Sequence, residues 1–244
     1  MRRLEGRRIV ITGAGSGIGA AIARRFVEEG AAVAMLDRDA SGLKDTARTI
    51  SAASFVADVT DMGQVTNAIE AAARTLGGID GLINAAGVLH LARFEDTELA
   101  QWQRMLDVNL TGPWIVSRAA LPHLRGASSA TIVNIASGLA LRPAANYSAY
   151  AASKSGLITL TRALAIELAP AIRVNAVCPG AVETAMTKDL YLDPKRRSEA
   201  MANYALGRLA TTSEVANAVL FLTSSESSFT TGVALAVDGG RTFH

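Results

Sequence analysis

Short apolar runs rich in β-branched residues alternate along the chain with longer Ala-rich stretches, and Gly, Asp, Asn or Ser punctuates most boundaries. Ile9-Val10-Ile11, Val33-Ala34-Met35-Leu36 and Ile132-Val133 carry no polar residue at alternate positions, as strands covered on both faces should not. Strands are predicted over residues 8–12, 32–36, 54–57, 81–84, 131–135, 173–177 and 234–237. Between them, helical spacing of apolar positions predicts helices over 18–29, 61–76, 99–121, 148–168 and 213–222, with Pro170 stopping the fourth. Strand and helix alternate without a Pro/Gly/Ser-rich linker, an internal repeat or a low-complexity segment. The expectation is α/β, one domain over 1–244, with a doubly wound parallel sheet of about seven strands flanked by helices. Residues 183–209 break the pattern, being richer in charge, Met and Tyr and following a strand's carboxyl end, where such sheets bind ligands; they predict a mobile lid.

Composition narrows the class. The 244 residues are 50% hydrophobic and 19% charged, which supports a packed core rather than disorder. Net charge is +2, and basic residues are scattered apart from Arg2, Arg3, Arg7, Arg8 and Lys195-Arg196-Arg197, so no nucleic-acid partner is expected. No apolar stretch reaches membrane-spanning length, and Glu5, Arg7 and Arg8 interrupt the signal-like opening Met1-Arg2-Arg3-Leu4. A lone Cys178 excludes an intramolecular disulfide and a thiolate-rich zinc site, so no metal and a reducing, cytoplasmic setting are expected.

The first candidate chemistry is a glycine turn. Ile9-Val10-Ile11 runs into Thr12-Gly13-Ala14-Gly15-Ser16-Gly17-Ile18-Gly19 and then a helix, placing Gly13, Ser16, Gly17, Ile18 and Gly19 where backbone amides and a helix's positive end can face a pyrophosphate. Taken alone such a turn is also an ordinary loop. About twenty residues on, the next strand ends at Asp37, where a carboxylate can accept the hydroxyls of an adenosine ribose. It would repel a 2′-phosphate: like unit charges ~4 Å apart cost roughly 4 kcal/mol at an effective dielectric of 20. This favours NAD over NADP, although the adjacent Arg38 can pair with a 2′-phosphate instead, and Asp37 and Asp39 also suit a plain turn.

The second is Tyr150 and Lys154, four residues apart in Ser148-Ala149-Tyr150-Ala151-Ala152-Ser153-Lys154 and so on one helix face. A phenol near pKa 10 is a weak base at neutral pH, and a neighbouring ammonium lowers that value. Such a pair is otherwise a common solvent-facing combination.

These segments together resemble the short-chain dehydrogenase/reductase family. The resemblance rests on Thr-Gly-x-x-x-Gly-x-Gly at 12–19, Asp58-Val59, Asn84-Ala85-Ala86-Gly87, Asn109, Ser137, Tyr150-x-x-x-Lys154, Pro179-Gly180 and Asp238-Gly239-Gly240, in family order over residues 4–240. It implies a Rossmann-type fold and an oxidoreductase acting on CH–OH groups. Tyr150 would be the general acid/base, Lys154 its activator and ribose ligand, Ser137 the substrate-orienting hydroxyl and Asn109 the holder of a water near Lys154. It further implies an adenine pocket at Asp58 and Val59, nicotinamide-side contacts at Asn84, Gly180, Val182 and Thr184, and further cofactor contacts at Ala85, Gly87 and Pro179. Ala85 departs from the commonest family form, which has Asn there, and Ser16 stands where NADP-using relatives often carry a basic residue.

For substrate, Ser137, His90, Asn146, Met186 and Tyr191 are candidates, and their mostly neutral character favours a small or medium uncharged secondary alcohol or ketone. A sugar, polyol or hydroxy acid would fit this class, and His90 and Arg142 leave room for an acidic group. A 3-oxoacyl-carrier-protein reductase using NADPH is the alternative, against which Asp37 and Ser16 count. The resemblance also implies a homotetramer.

Overall fold

The computed structural model describes residues 2–243, Arg196 by its backbone alone. In chain order it has β1 (Arg8–Thr12), α1 (Gly17–Glu28), β2 (Ala32–Asp37), α2 (Ala40–Ala47), β3 (Ala53–Val56), α3 (Met62–Leu76) and β4 (Gly81–Asn84). There follow α4 (Leu99–Leu106), α5 (Gly112–Arg125), β5 (Ala130–Ile135), α6 (Ser148–Glu167), β6 (Ile172–Pro179), α7 (Pro194–Met201), α8 (Thr212–Thr223) and β7 (Ala234–Val237). The seven strands form one parallel sheet in the order β3-β2-β1-β4-β5-β6-β7. Consecutive strands run outward from β1 in one direction up to β3, and the chain then returns to place β4 on β1's other side. Their carboxyl ends diverge there, opening a crevice suited to a ligand. The predicted single-domain, doubly wound parallel sheet is therefore the observed fold.

Alternation along each strand feeds two cores. In β1, Val10 enters the layer formed with Val65 and Ile69 of α3 and Val116 and Leu124 of α5. Ile9 and Ile11 face the opposite layer, with Ile22 and Phe26 of α1 and Val215 and Val219 of α8. At the bottom of the sheet the buried Asp80 carboxylate receives Arg7 Nε at 2.6 Å and Arg8 Nε at 3.1 Å, and Arg3 pairs with Glu226. The N-terminal arginines are thus spent within the fold.

Helix limits follow local chemistry. Asp61 caps α3 by accepting from Gln64 N, and Thr211 with Glu214 forms a capping box on α8. The predicted helix over 99–121 is two helices, α4 and α5, joined by a π-helical turn over Asp107–Thr111. Pro113 has no N–H to donate to the Asn109 carbonyl, so one α-helical bond is missing where the turn widens, although Pro122 sits inside α5 without ending it. Sequence reading also missed α2, whose eight residues offer few apolar positions, Leu43 being the large one buried.

Residues 183–209 are more ordered than a plain loop: a 3₁₀ turn over Lys188–Tyr191 precedes α7. The excursion is pinned at its stem by a parallel bridge between Val182 and Ala210, with Glu183 N donating to Ala210 O and Ala210 N to Ala181 O. Among the described residues, no helix is long and apolar enough to cross a membrane.

Candidate active site

At the carboxyl ends of the strands lies a cleft of about 310 Å³, floored by the turn between β1 and α1. Gly13 and Gly17 adopt φ of 68° and 53°, which side-chain-bearing residues rarely do. A Cβ on Gly13 would stand 2.6 Å from Ala86 N, and one on Gly19 would overlap the Gly13 carbonyl oxygen. Thr12 Oγ1 accepts from Ala85 N and Ala86 N at 3.2 Å each, drawing the end of β4 against the turn. Ser16, the N-cap of α1, makes no side-chain cap, so the helix's leading amides keep their hydrogen-bonding capacity toward the cleft. Such a cradle suits a phosphate, and its length, continuing past Asp37 to Asp58 and Val59, suits a dinucleotide.

Asp37 is held by its own surroundings. Its Oδ2 accepts from Gly15 N at 2.9 Å and its Oδ1 from Asp39 N at 3.0 Å, leaving the carboxylate facing the cleft. Arg38 lines the same cleft, and its charge reaches Asp39 and Asp58. Asp58 is lowered from the ordinary carboxylate value, chiefly by accepting from Thr60 N, with the Thr60 hydroxyl at 2.7 Å adding to it.

The cleft narrows to a neck of about 110 Å³ where Gly87, Val182 and Thr184 meet Ser137, Tyr150 and Lys154. Helix α6 presents Tyr150 and Lys154 to this neck, as their spacing predicts. Lys154 is buried, donates from Nζ to Ile135 O at 2.7 Å, and is lowered to about 8 by burial. Tyr150 is raised above 10, because burial outweighs the hydrogen bond with the Ser137 hydroxyl. The phenol is thus raised where the sequence suggested lowering, and desolvation, not the neighbouring ammonium, is the leading influence on it. Cys178, buried beneath the neck, is pushed up to about 11 by burial and is an unreactive thiol.

Asn109 sits in the π-helical turn beside Lys154, and a Cβ on Gly87 would lie 3.3 Å from Asn109 Oδ1 and 3.5 Å from Lys154 Nζ. Its amide is engaged: Oδ1 accepts from Val88 N at 2.9 Å, while Nδ2 donates to Val88 O and to Ser153 Oγ.

Past the neck a second cavity of about 250 Å³ opens under residues 186–204. Ser137, Met186 and Tyr191, the substrate candidates read from sequence, line it together with Leu190. Tyr147, Asn203, Tyr204 and Arg241 also line it and were not singled out from sequence. Tyr147 packs edge-on against Tyr150, with ring centroids 6.5 Å apart, and stands three residues before it; that proximity was a legible signal.

Asn109 and three other expected site residues do not line the cleft, the neck or the second cavity. Asn84 is buried, and its Nδ2 donates to Asn134 Oδ1 at 2.8 Å and Ser117 Oγ at 3.2 Å, tying β4 to β5 and α5. His90 lies on the loop after β4 with Nε2 buried and unpaired, apart from the cavity linings. Asn146 is exposed at φ 70°, its carbonyl accepting from Ala92 N, and serves the turn before α6. Among the described residues, no cluster of His, Cys, Asp or Glu is placed to hold a metal ion.

A family model described as enoyl-(acyl carrier protein) reductase matches residues 13–242. The chain is 40% identical over 98% of its length, and 98% of the relative's, to 2-(S)-hydroxypropyl-CoM dehydrogenase 3 of Xanthobacter autotrophicus. It is 42% identical to cis-4-hydroxycyclohexanecarboxylate dehydrogenase of Sinomonas cyclohexanicum, covering 96% of this chain and 95% of that one. Among solved structures, 3-ketoacyl-(acyl-carrier-protein) reductase from Brucella melitensis, complexed with NADH, superposes with a TM-score of 0.93 at 38% identity, covering 98% of this chain and 100% of that one.

Proposed function

The chain belongs to the short-chain dehydrogenase/reductase family, an oxidoreductase of secondary alcohols and ketones, and from that premise we propose that it transfers a hydride between NAD(H) and a small or medium hydroxy compound. The observation that carries this reading is the convergence, at one neck, of the glycine cradle with buried Lys154 and the Tyr150–Ser137 pair. A nicotinamide cofactor, when bound, supplies the hydride acceptor or donor. Gly13, Ser16, Gly17, Ile18 and Gly19 receive its pyrophosphate, Asp37 its adenosine ribose, and Asp58 and Val59 its adenine. Ala85, Gly87, Pro179, Gly180, Val182 and Thr184 flank its reactive end, and Lys154 holds the adjoining ribose.

Tyr150 takes the alcohol proton in oxidation and returns it to the carbonyl oxygen in reduction, a transfer worth roughly 10²- to 10⁴-fold. Burial favours the neutral phenol, the form that gives its proton in the reductive direction, whereas the oxidative direction starts from the phenolate. The Ser137 hydroxyl donates to the oxygen that gains charge. Asn109 positions the loop at Val88 and, through Ser153, the helix face that carries Lys154. Residues 183–209 close over the substrate. A cavity of about 250 Å³ lies below the usual ~300–1,000 Å³ of ligand sites, which supports a small substrate such as a sugar, polyol or hydroxy acid.

Asp37 supports NAD over NADP. A second reading, reduction of a 3-oxoacyl-carrier-protein with NADPH, takes its substrate class from the Brucella melitensis neighbour, which was itself complexed with NADH, and its cofactor from Arg38 in the same cleft. Dissociation constants for NADH and NADPH separate the two. The working form in this reading is a cytoplasmic homotetramer; a light-scattering mass near the 25.4 kDa of one chain would refute that assembly.

The test is NAD reduction against a panel of alcohols, polyols and hydroxy acids, beside Tyr150→Phe. The variant should bind NADH as the parent does and lose at least about 100-fold in turnover. Parental turnover in the variant would sink the assignment.

A further inference from the structure

All four tyrosines of the chain, Tyr147, Tyr150, Tyr191 and Tyr204, wall the same cavity. So does Arg241, from the tail that follows β7. Among the described residues no carboxylate lines this cavity and none pairs with Arg241. The nearest acid in sequence, Asp238, turns its carboxylate to Gly240 N and Thr242 N, at 3.0 Å each.

The guanidinium is fixed in place. Arg241 Nη1 donates to Arg142 O at 2.8 Å and more weakly to Gly138 O at 3.5 Å, while Arg142 Nη1 donates back to Arg241 O at 2.7 Å. This reciprocal brace joins the tail to the segment that begins at Ser137. The other nitrogens of Arg241 make no hydrogen bond among the described residues and are not buried against apolar atoms. A half-buried, fork-shaped donor with no counter-charge among the described residues is a receptor for a planar oxyanion. Tyr147 and Tyr191 complete it: burial raises both phenols, Tyr191 to about 12, so each keeps a proton to donate, and the Arg241 charge is felt at both. Tyr204 is occupied in part, its hydroxyl accepting from Ala181 N at 3.0 Å.

We propose that this cavity binds the carboxylate of a hydroxy acid or oxo acid, with Arg241 as its anchor, Tyr147 and Tyr191 as flanking donors, and the reacting carbon at Tyr150 and Ser137. The proposal rests on the assignment of Tyr150 above and narrows the substrate from a sugar, polyol or hydroxy acid to the last of these. One cation balances one negative charge, which selects a carboxylate over a phosphoryl group.

The binding arm needs no turnover. Calorimetry with 4-oxopentanoate and 4-oxopentanamide, in the presence of NAD, compares an acid with its neutral isostere. The acid should bind at least about 10-fold more tightly, as expected for a hydrogen-bonded charge. Arg241→Gln should erase the difference, and Arg241→Lys, which keeps the charge, should retain part of it. The kinetic arm measures kcat/KM for 3-hydroxybutanoate, 4-hydroxypentanoate and 5-hydroxyhexanoate against their amides, the preference appearing in KM. Equal binding of acid and amide, or a preference that survives Arg241→Gln, overturns the proposal. Absence of any nicotinamide-linked turnover refutes the oxidoreductase reading, and with it the placing of the reacting carbon at Tyr150, while the calorimetric comparison still decides the anion anchor.

Discussion

The two ends of the ligand channel are built from different material. The cradle below α1 is made of backbone: glycines whose missing Cβ atoms admit neighbouring peptide groups, a helix start without a side-chain cap, and Thr12 Oγ1 pinning Ala85 and Ala86. The cavity beyond Tyr150 is made of side chains from segments distant in sequence: Ser137 after β5, Tyr191 and Tyr204 above it, and Arg241 from the tail. Backbone construction leaves little freedom of composition, so the cradle is tied to a general ligand. Side-chain construction can be changed residue by residue, which is where selectivity for one substrate over another has to reside.

The largest expected effect tests the backbone half. In Gly19→Ala the added methyl overlaps the Gly13 carbonyl oxygen, so the turn has to open. Backbone strain of about 3 kcal/mol corresponds to roughly a 100-fold loss of NADH affinity, readable by fluorescence titration. Parental affinity would mean that the cradle is not the dinucleotide site.

The neck joins the two halves, and Lys154 gives it a pH signature. Its folded value of about 8 lies below the 10.5 of a free lysine, because burial disfavours the charge. Between those values the unfolded chain binds more protons, so stability rises with pH across that window, and the cost of burying the ammonium is full below pH 8. The unfolding free energy of the parent minus that of Lys154→Met should grow by roughly 2 kcal/mol from about pH 8 to about pH 9.5. A flat difference would show that Lys154 is not desolvated.

How far each half was legible follows from the same contrast. The strands, the glycine turn and the Tyr150–Lys154 spacing are local patterns, and the structure places them as read. Arg241 and Tyr204 carry no local signal, because their meaning comes from the pinned excursion at Val182 and Ala210 and from the brace between Arg142 and Arg241. Tyr150 was readable as a position but not as a pKa, since spacing gives the distance to Lys154 and says nothing of desolvation. The helix break at 107–111 was only partly legible in Pro113, whose missing N–H removes one bond there, since Pro122 does the same inside α5 and the helix continues. Asn84 misled for a related reason: a polar residue at a strand's carboxyl end can point along the sheet into the fold as readily as into the crevice.

That distinction gives the next prediction. Removing the Asn84 amide leaves Asn134 Oδ1 and Ser117 Oγ short of a buried partner, which costs about 1–3 kcal/mol. Asn84→Ala should therefore lower the urea midpoint while its NADH dissociation constant stays within about 2-fold of the parent, a spread that corresponds to well under 1 kcal/mol. A selective loss of cofactor affinity at parental stability would return Asn84 to the cofactor site.

The smallest effect concerns Asn146, which sequence placed with substrate and the structure places in a turn at φ 70°. Left-handed backbone costs an ordinary L-residue about 1–2 kcal/mol, Asn less, and glycine least. Asn146→Ala should lose about 1 kcal/mol or less of unfolding free energy, and Asn146→Gly should match the parent or slightly exceed it. Both should keep the parental KM, because the residue contributes a backbone carbonyl to Ala92 N and no cavity wall. A rise in KM confined to the alanine variant would trace to displacement of Tyr147 and Tyr150, which follow directly. A rise in both variants would instead require the amide itself to reach the substrate, and would move the boundary of the side-chain half of the channel out to this loop.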